Sequence, residues 1–479
     1  MQFVTFPAYA RIKDWDWTGG PLRALRAIAS LVIVAIVVGG CAGAIERNPV
    51  PTAVASEKAS VPSIPGARFW ADETPKDLKK AYAEHLQGVP KLGASAPLVN
   101  GRTQIDVLAL SGGGSDGAFG AGVLTGWTAR GDRPEFEHVT GVSAGSIIAP
   151  FAFLGPKYDP QLREIWTEYK TDELVVPQIV NGLLGGQALA DTGPLRKLVA
   201  KYIDREFLVA VAKEYRRGRL LTVGTTNLDA KRPVVWNMGA IARHYDNPEA
   251  VQLFRDVIIA SAAIPGLFPP VNIKVNVDGK HYDEMHVDGG VTRQIYVTPV
   301  NLPFQAFDVL YSKPPQRHLW LVHNGKMNPQ FGAVKPTTFQ IAGESIGALM
   351  LYQHKGDNYR IYRMAQDAGA DFNSIAIPPE FNHASTEKFD LGYQRALFDE
   401  GIRIGKARDW RKKPSDLPEE RPARVAKPKP EPASPAPETP EAPAAAPTEP
   451  GDAEPAAPQP PGQPVAMDRV SDLETSATQ

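Results

Sequence analysis

An α/β fold with a mainly parallel sheet is what this sequence predicts, on two observations. A compact apolar run, Thr103-Gln-Ile-Asp-Val-Leu-Ala-Leu110, leads through a glycine loop into a helical stretch, Ala118 to Arg130. A second short strand, Phe136 to Thr140, turns at once into a helix starting near Ala144. Strand, loop, helix, strand, helix is how a parallel sheet begins, because parallel neighbours need a crossover between them.

Taken in order, the chain opens on an address. Arg23 and Arg26 precede the apolar run Ala27 to Val38, which ends in Gly39-Gly40-Cys41. The run is short for a membrane span and suits a signal-peptide core. Val38-Gly39-Gly40-Cys41 resembles a bacterial lipobox, which makes residues 1–40 a leader and Cys41 a lipidation site. Ala42 matches lipoproteins that are not retained at the inner membrane. An uncleaved anchor is the alternative, and either reading tethers the chain to the cell envelope, facing the periplasm. Cys41 is the only cysteine among 479 residues, so the chain forms no internal disulfide.

Residues 41–102 read as a tether and N-terminal extension, with a short helix over Asp77 to Leu86, and the domain is expected to open near Thr103. Helical spacing recurs at Gln161 to Tyr169, Pro194 to Ile203, Phe207 to Arg216, Gln252 to Ala262, Thr338 to Asp367 and Gly392 to Arg408. Strands are expected at Arg219 to Thr225, Arg232 to Met238 and His318 to His323, with a polar loop from Asn276 to Asp283. The domain therefore covers 103–412. From 413 to 479 proline, alanine and glutamate dominate, a composition that buries no core and reads as a disordered spacer. With 52 Lys and Arg against 53 Asp and Glu, no global field favours nucleic acid, and no basic run is interleaved with aromatics.

The chemistry is carried by glycine-flanked residues. Gly141-Val-Ser143-Ala-Gly145 is a G-x-S-x-G at a strand-to-helix turn, where the flanking glycines let a serine hydroxyl stand out of the sheet edge. An attacking serine also needs an oxyanion site and a base. Gly112-Gly113-Gly114 precedes a helix N-terminus and can present backbone N–H groups to an anion. Gly112-x-Gly114-x-x-Gly117 fits a dinucleotide loop too, but the second strand ends in the serine turn, where a ribose-binding acid would be required. No Gly-Lys-Ser/Thr follows, which excludes a P-loop. Asp288-Gly289-Gly290 supplies a carboxylate at a turn, and Ala260-Ser-Ala-Ala-Ile-Pro-Gly-Leu-Phe-Pro-Pro270 is an apolar stretch suited to lining an acyl pocket.

Together and in this order, Gly112-Gly113-Gly114-x-x-Gly117, Gly141-Val-Ser143-Ala-Gly145, Ala260 to Pro270 and Asp288-Gly289-Gly290 resemble the patatin-like phospholipase family. The resemblance covers roughly Ile105 to His323 and implies a three-layer sandwich with helices on both faces of the sheet. It implies a phospholipase A-type lipid acyl hydrolase with a Ser143–Asp288 dyad: Ser143 the nucleophile, Asp288 its base, and Gly113 and Gly114 the oxyanion donors. It implies a membrane lipid as substrate, no metal and no cofactor, and names no protein partner. One departure stands out: many members carry Arg or Lys just before the last glycine of the loop, where this chain has Asp116. That carboxylate is expected to face away from the site or to be paired.

Two other readings stay open on the residues. A general esterase would order its triad Ser, Asp, His, for which His323 is placed, and His286 shares a strand face with Asp288; the dyad resemblance favours neither. A weakly active or inactive envelope lipoprotein, with the Pro-rich tail as a contact arm, would use the same fold as a scaffold.

Overall fold

A computed structural model describes residues 47–74, 79–80, 93–178, 188–298, 302–385, 387, 389–415 and 417, all within a compact unit that ends at Leu417. The leader, Cys41, most of the helix expected over Asp77 to Leu86 and nearly all of the 413–479 tail lie outside the described residues.

In chain order the elements are β1 (Arg68–Trp70), β2 (Arg102–Leu110), α1 (Gly117–Arg130), β3 (His138–Val142), α2 (Ala144–Leu154), α3 (Asp159–Thr167), α4 (Gly193–Tyr202), α5 (Arg205–Arg216), β4 (Leu220–Asn227) and β5 (Arg232–Asn237). They continue with α6 (Pro248–Ser261), β6 (Val271–Val277), β7 (Lys280–Asp288), β8 (Gln316–His323), α7 (Thr338–Ala368), β9 (Asp371–Ala376) and α8 (Leu391–Ala407). The sheet runs β1-β5-β4-β3-β2-β8-β9, and its centre, β4-β3-β2-β8-β9, is parallel. Helices cover both faces in a three-layer α/β sandwich. The inner strands β3 and β4 are buried at every position, as strands covered on both faces must be.

Two features position the site. β3 ends at Val142, opposite Gly224 of β4. Beyond that point β7 takes its place antiparallel to β4, with Asp288 opposite Thr225. The end of β3 and the end of β7 thus meet on one flank of β4. The second feature is the α1–α8 contact, where backbones touch through glycine. A Cβ on Gly122 would meet the Phe398 carbonyl, and one on Gly401 or Gly405 would meet the carbonyls of Phe119 or Val123. This contact seats the helix that follows the glycine loop.

Two readings of the sequence are corrected. The domain does not open at Thr103, and the described part of the expected tether packs on the sheet. β1 pairs with β5, Ser60 bridges Asn276, and Arg68 forms a buried 2.8 Å ion pair with Glu284. Asn276 to Asp283 is not a loop but the middle of the β6–β7 hairpin, turning at Asp278-Gly279, both at positive φ. Asp-Gly at such a turn matches the right-handed twist of its strands. β9 is not expected from the sequence; its Asn373 donates to the Leu319 carbonyl and its Ser374 hydroxyl bonds His323.

Candidate active site

Ser143 stands at the turn from β3 into α2 with φ 53° and ψ −123°, backbone that a non-glycine residue adopts only when its surroundings impose it. The imposing contacts are visible. A Cβ on Gly141 would strike the Gly145 carbonyl, and one on Gly145 the Leu110 carbonyl, so strand, helix and glycine loop close to backbone contact. The Ser143 N–H donates to Ser261 Oγ at 2.9 Å, and that hydroxyl donates to the Gly224 carbonyl at 2.7 Å. Ser146 Oγ donates to the Ser143 carbonyl at 2.6 Å.

The Ser143 side chain lies beside Asp288, the last residue of β7, and favours its ionised form; Asp288 Oδ1 accepts the Gly290 N–H at 2.7 Å. The Asp288 N–H donates to the Ala263 carbonyl, and Gly289 lies so close to Gly224 that a side chain there would meet its carbonyl. Burial pushes the Asp288 carboxyl up to about 6, and the bonds from Ser143 and Gly290 pull it back only in part. A carboxylate so placed is a better base than an exposed one and is still ionised at neutral pH.

The glycine loop lies beside them. Gly112 approaches Ser143 so closely that a Cβ there would sit 3.1 Å from the serine Cβ. Gly113 abuts the Asn324 carbonyl, leaving no room for a side chain, and Gly114 has φ 57°. Within the described residues no hydrogen bond occupies the Gly113 or Gly114 N–H. Gly117 opens α1 beneath the Trp166 ring, where a side chain would collide. Asp116 is paired: Tyr393 donates its hydroxyl to Oδ1 at 2.7 Å. Burial pushes this carboxyl up to about 6, against the pull of Tyr393 and Lys326.

Two side chains whose roles the sequence does not disclose lock these pieces together. Asn324 donates from Nδ2 to the Ser111 carbonyl at 2.7 Å and accepts the Gly120 N–H at 3.0 Å, clamping both ends of the glycine loop. Gln294 accepts the Gly112 N–H on its carbonyl, donates from Nε2 to the Gly290 carbonyl at 2.9 Å, and gives its own N–H to Asp357 at 2.8 Å. It thereby ties the glycine loop to the Asp288 turn. Neither carries a local motif; only their places after β7 and β8 point to them.

The histidines are engaged elsewhere. His323 Nδ1 lies 2.7 Å from His354 Nε2, with its Nε2 3.1 Å from Ser374 Oγ. His286 bonds Thr225 and Glu284 and stacks edge-on against Trp236. Burial lowers the pKa of both.

Ser143 and Gly114 open onto a cavity of about 790 Å³, mouth included. Its walls are apolar: Ile147 and Phe151 of α2, Trp166 of α3, Leu198 of α4, Ile258 of α6, and Ala262, Ile264 and Phe268 from the Ala260 to Pro270 stretch. A buried hydroxyl–carboxylate pair at the head of an apolar cavity can hold a greasy chain with its polar end at the serine.

No curated protein matches the chain. Among solved structures, VipD from Legionella pneumophila is similar at 13% identity and a TM-score of 0.29, over 64% of this chain and 67% of that one. The complex of full-length SpcU with full-length ExoU, from the type III secretion system of Pseudomonas aeruginosa, contains a chain similar at 12% identity and a TM-score of 0.30. That match covers 65% of this chain and only about half, 52%, of the other. Residues 108–300 match the family model described as patatin-like phospholipase, a stretch that spans the glycine loop, the serine turn and the Asp-Gly-Gly turn. Residues 108–300 are therefore a patatin-like phospholipase domain, of a lipid-hydrolysing family.

Proposed function

We propose that this protein is a phospholipase A-type lipid acyl hydrolase working through a Ser143–Asp288 dyad. The observation that carries the reading is the placement of Ser143 beside a buried Asp288, whose carboxyl it helps to hold ionised, at the head of an apolar cavity. Asp288 takes the Oγ proton as Ser143 attacks the ester carbonyl, and the Gly113 and Gly114 N–H groups receive the oxyanion, helped by the N-terminal end of α1. The tetrahedral intermediate collapses, Asp288 returns the proton to the departing alcohol, and the acyl group stays on Ser143. Water, deprotonated by Asp288, then attacks the acyl-enzyme, and as this second intermediate collapses Asp288 returns the proton to Ser143 Oγ and fatty acid leaves.

His323 and His286 are spent on buried partners, which favours the dyad over a triad. Lipidation at Cys41 would hold the enzyme on the envelope at its substrate's surface, where local concentration replaces tight binding. The test is hydrolysis of defined diacyl and monoacyl phospholipids by the purified full-length chain, alongside labelling by a fluorophosphonate probe. Wild type is expected to release fatty acid and take the label, and Ser143→Ala to do neither. Equal labelling of the two proteins would remove Ser143 from the mechanism.

A further inference from the structure

We propose that Phe151 and Tyr202 form a fixed end to the acyl cavity, so that the enzyme measures chain length and favours acyl groups of about ten carbons. This rests on the ester-hydrolase reading above and adds the substrate class to it.

The measure lies along α2. Ser143, Ile147 and Phe151 line the same cavity at four-residue intervals, which places them along one helix face. Eight residues at about 1.5 Å of rise put Phe151 roughly 12 Å beyond the serine. An extended chain covers about 3.6 Å for every three bonds, so roughly ten bonds fit between the reacting carbonyl and the Phe151 ring. Leu198 and Val199 of α4, Ile258 of α6 and Ala262 just beyond it line the same cavity, and all of them are apolar.

The far end is built shut. Phe151 packs edge-on against Tyr202 at 6.3 Å between ring centroids and against Phe207 at 5.2 Å. The Tyr202 ring lines the cavity, while its hydroxyl is held by Tyr169 at 2.9 Å and by Lys201 at 3.2 Å. Lys201 in turn is paired with Glu164 at 2.7 Å. The ring is a plug, with its hydroxyl fastened to neighbouring polar groups. Another part of the lining differs: Ile264, Phe268 and Phe389 cluster on loops rather than on helices. A chain longer than the slot has to leave its excess in the mouth or displace the plug.

The experiment uses the full-length chain and one mixture of p-nitrophenyl esters from C4 to C16 at a fixed detergent concentration, with the released acids counted by mass spectrometry. Competition in one mixture reads ratios of kcat/KM directly. The expected result is a rise of roughly fourfold per carbon, the worth of one buried methylene, to a maximum near C10 and a fall beyond it. Tyr202→Ala should move the maximum to longer chains, and Ile147→Trp, which fills the slot halfway, to shorter ones. An active wild type whose maximum neither variant moves overturns the proposal and leaves the hydrolase reading intact. A second arm needs no turnover: Ser143→Ala protein is titrated with fatty acids of graded length against a fluorescent fatty acid. Affinity should rise to C10 and level off, and Tyr202→Ala should carry the rise further. A rise continuing unbroken to C16 in the Ser143→Ala protein would sink the fixed end even if no ester is hydrolysed.

Discussion

Tyr393, on the last helix, donates its hydroxyl to Asp116 Oδ1 at 2.7 Å, tying α8 to the glycine loop. This bond accounts for a carboxylate where a cation was expected. A half-buried Asp116 turned toward Ser143 would repel a developing oxyanion, and the tyrosine gives its charge another partner. Removing the donor should free it. Tyr393→Phe is expected to lower kcat by about tenfold, the worth of one bond to a buried charged group. Asp116→Asn in the same background should restore most of the loss. Steady-state kinetics on a short ester checks both, and a Tyr393→Phe enzyme with unchanged kcat would show that Asp116 is harmless without its partner.

The pH dependence follows from Asp288. Its carboxyl is pushed up to about 6 by burial and must be ionised to accept the Ser143 proton. Activity should therefore fall as pH drops through about 6 and stay level above it. A kcat/KM profile between pH 4 and 9 measures the limb, and Asp116→Asn separates the two carboxyls raised to the same region. The limb should persist in that variant.

The same shift makes a stability prediction of definite sign. A carboxyl at about 6 in the folded protein and 3.8 unfolded is a penalty to folding, complete above pH 6 and absent below pH 3.8. Two units correspond to about 3 kcal/mol. Asp288→Asn should thus abolish hydrolysis and raise Tm at pH 8, with the gain shrinking as pH falls from 6 toward 4. Thermal unfolding of both proteins across that window tests it.

Gln294 offers a test of positioning. It does not line the cavity, yet its backbone carbonyl takes the Gly112 N–H while its side chain holds the Gly290 carbonyl. Gln294→Leu removes only the side-chain link. It should lower kcat by one to two orders of magnitude with little change in KM, because the loop loses its register to Asp288 while substrate binding is untouched. Equal changes in kcat and KM would instead mean a general loosening of the site.

How much of this was legible in the residues follows the range of each interaction. The β2–α1–β3–α2 opening is local, written in apolar runs and glycine turns, and its elements are found within two residues of where the sequence puts them. The β6–β7 hairpin was also locally signalled, by Asp278-Gly279, but its polar alternation read as a loop. β1 was hidden because a three-residue edge strand carries no periodicity and is defined by its partner β5. In the site, Ser143 and Asp288 sit in motifs, whereas Asn324, Tyr393 and the Gln294 carbonyl that takes the Gly112 N–H act across more than 170 residues and have no local signature. Their roles exist only once β7, β8 and α8 are folded against the glycine loop.

Ser143 itself carries the last prediction. Its φ of 53° with ψ of −123° is unfavourable for any residue with a Cβ and favourable for glycine, being the mirror of an ordinary extended conformation. Ser143→Ala and Ser143→Gly both delete the hydroxyl and its bond to Asp288, so their difference isolates the backbone. Glycine should relieve about 1–2 kcal/mol of strain and lose about 0.5–1 kcal/mol to the greater freedom of its unfolded chain. Ser143→Gly is therefore expected to be the more stable by several tenths of a kcal/mol or more, seen as a Tm higher by one to a few degrees. In a helix interior the same exchange would cost about 0.5–1 kcal/mol. A Ser143→Gly protein less stable than Ser143→Ala would mean that the clamp from Ser261, Ser146 and the two flanking glycines imposes no strain on the turn.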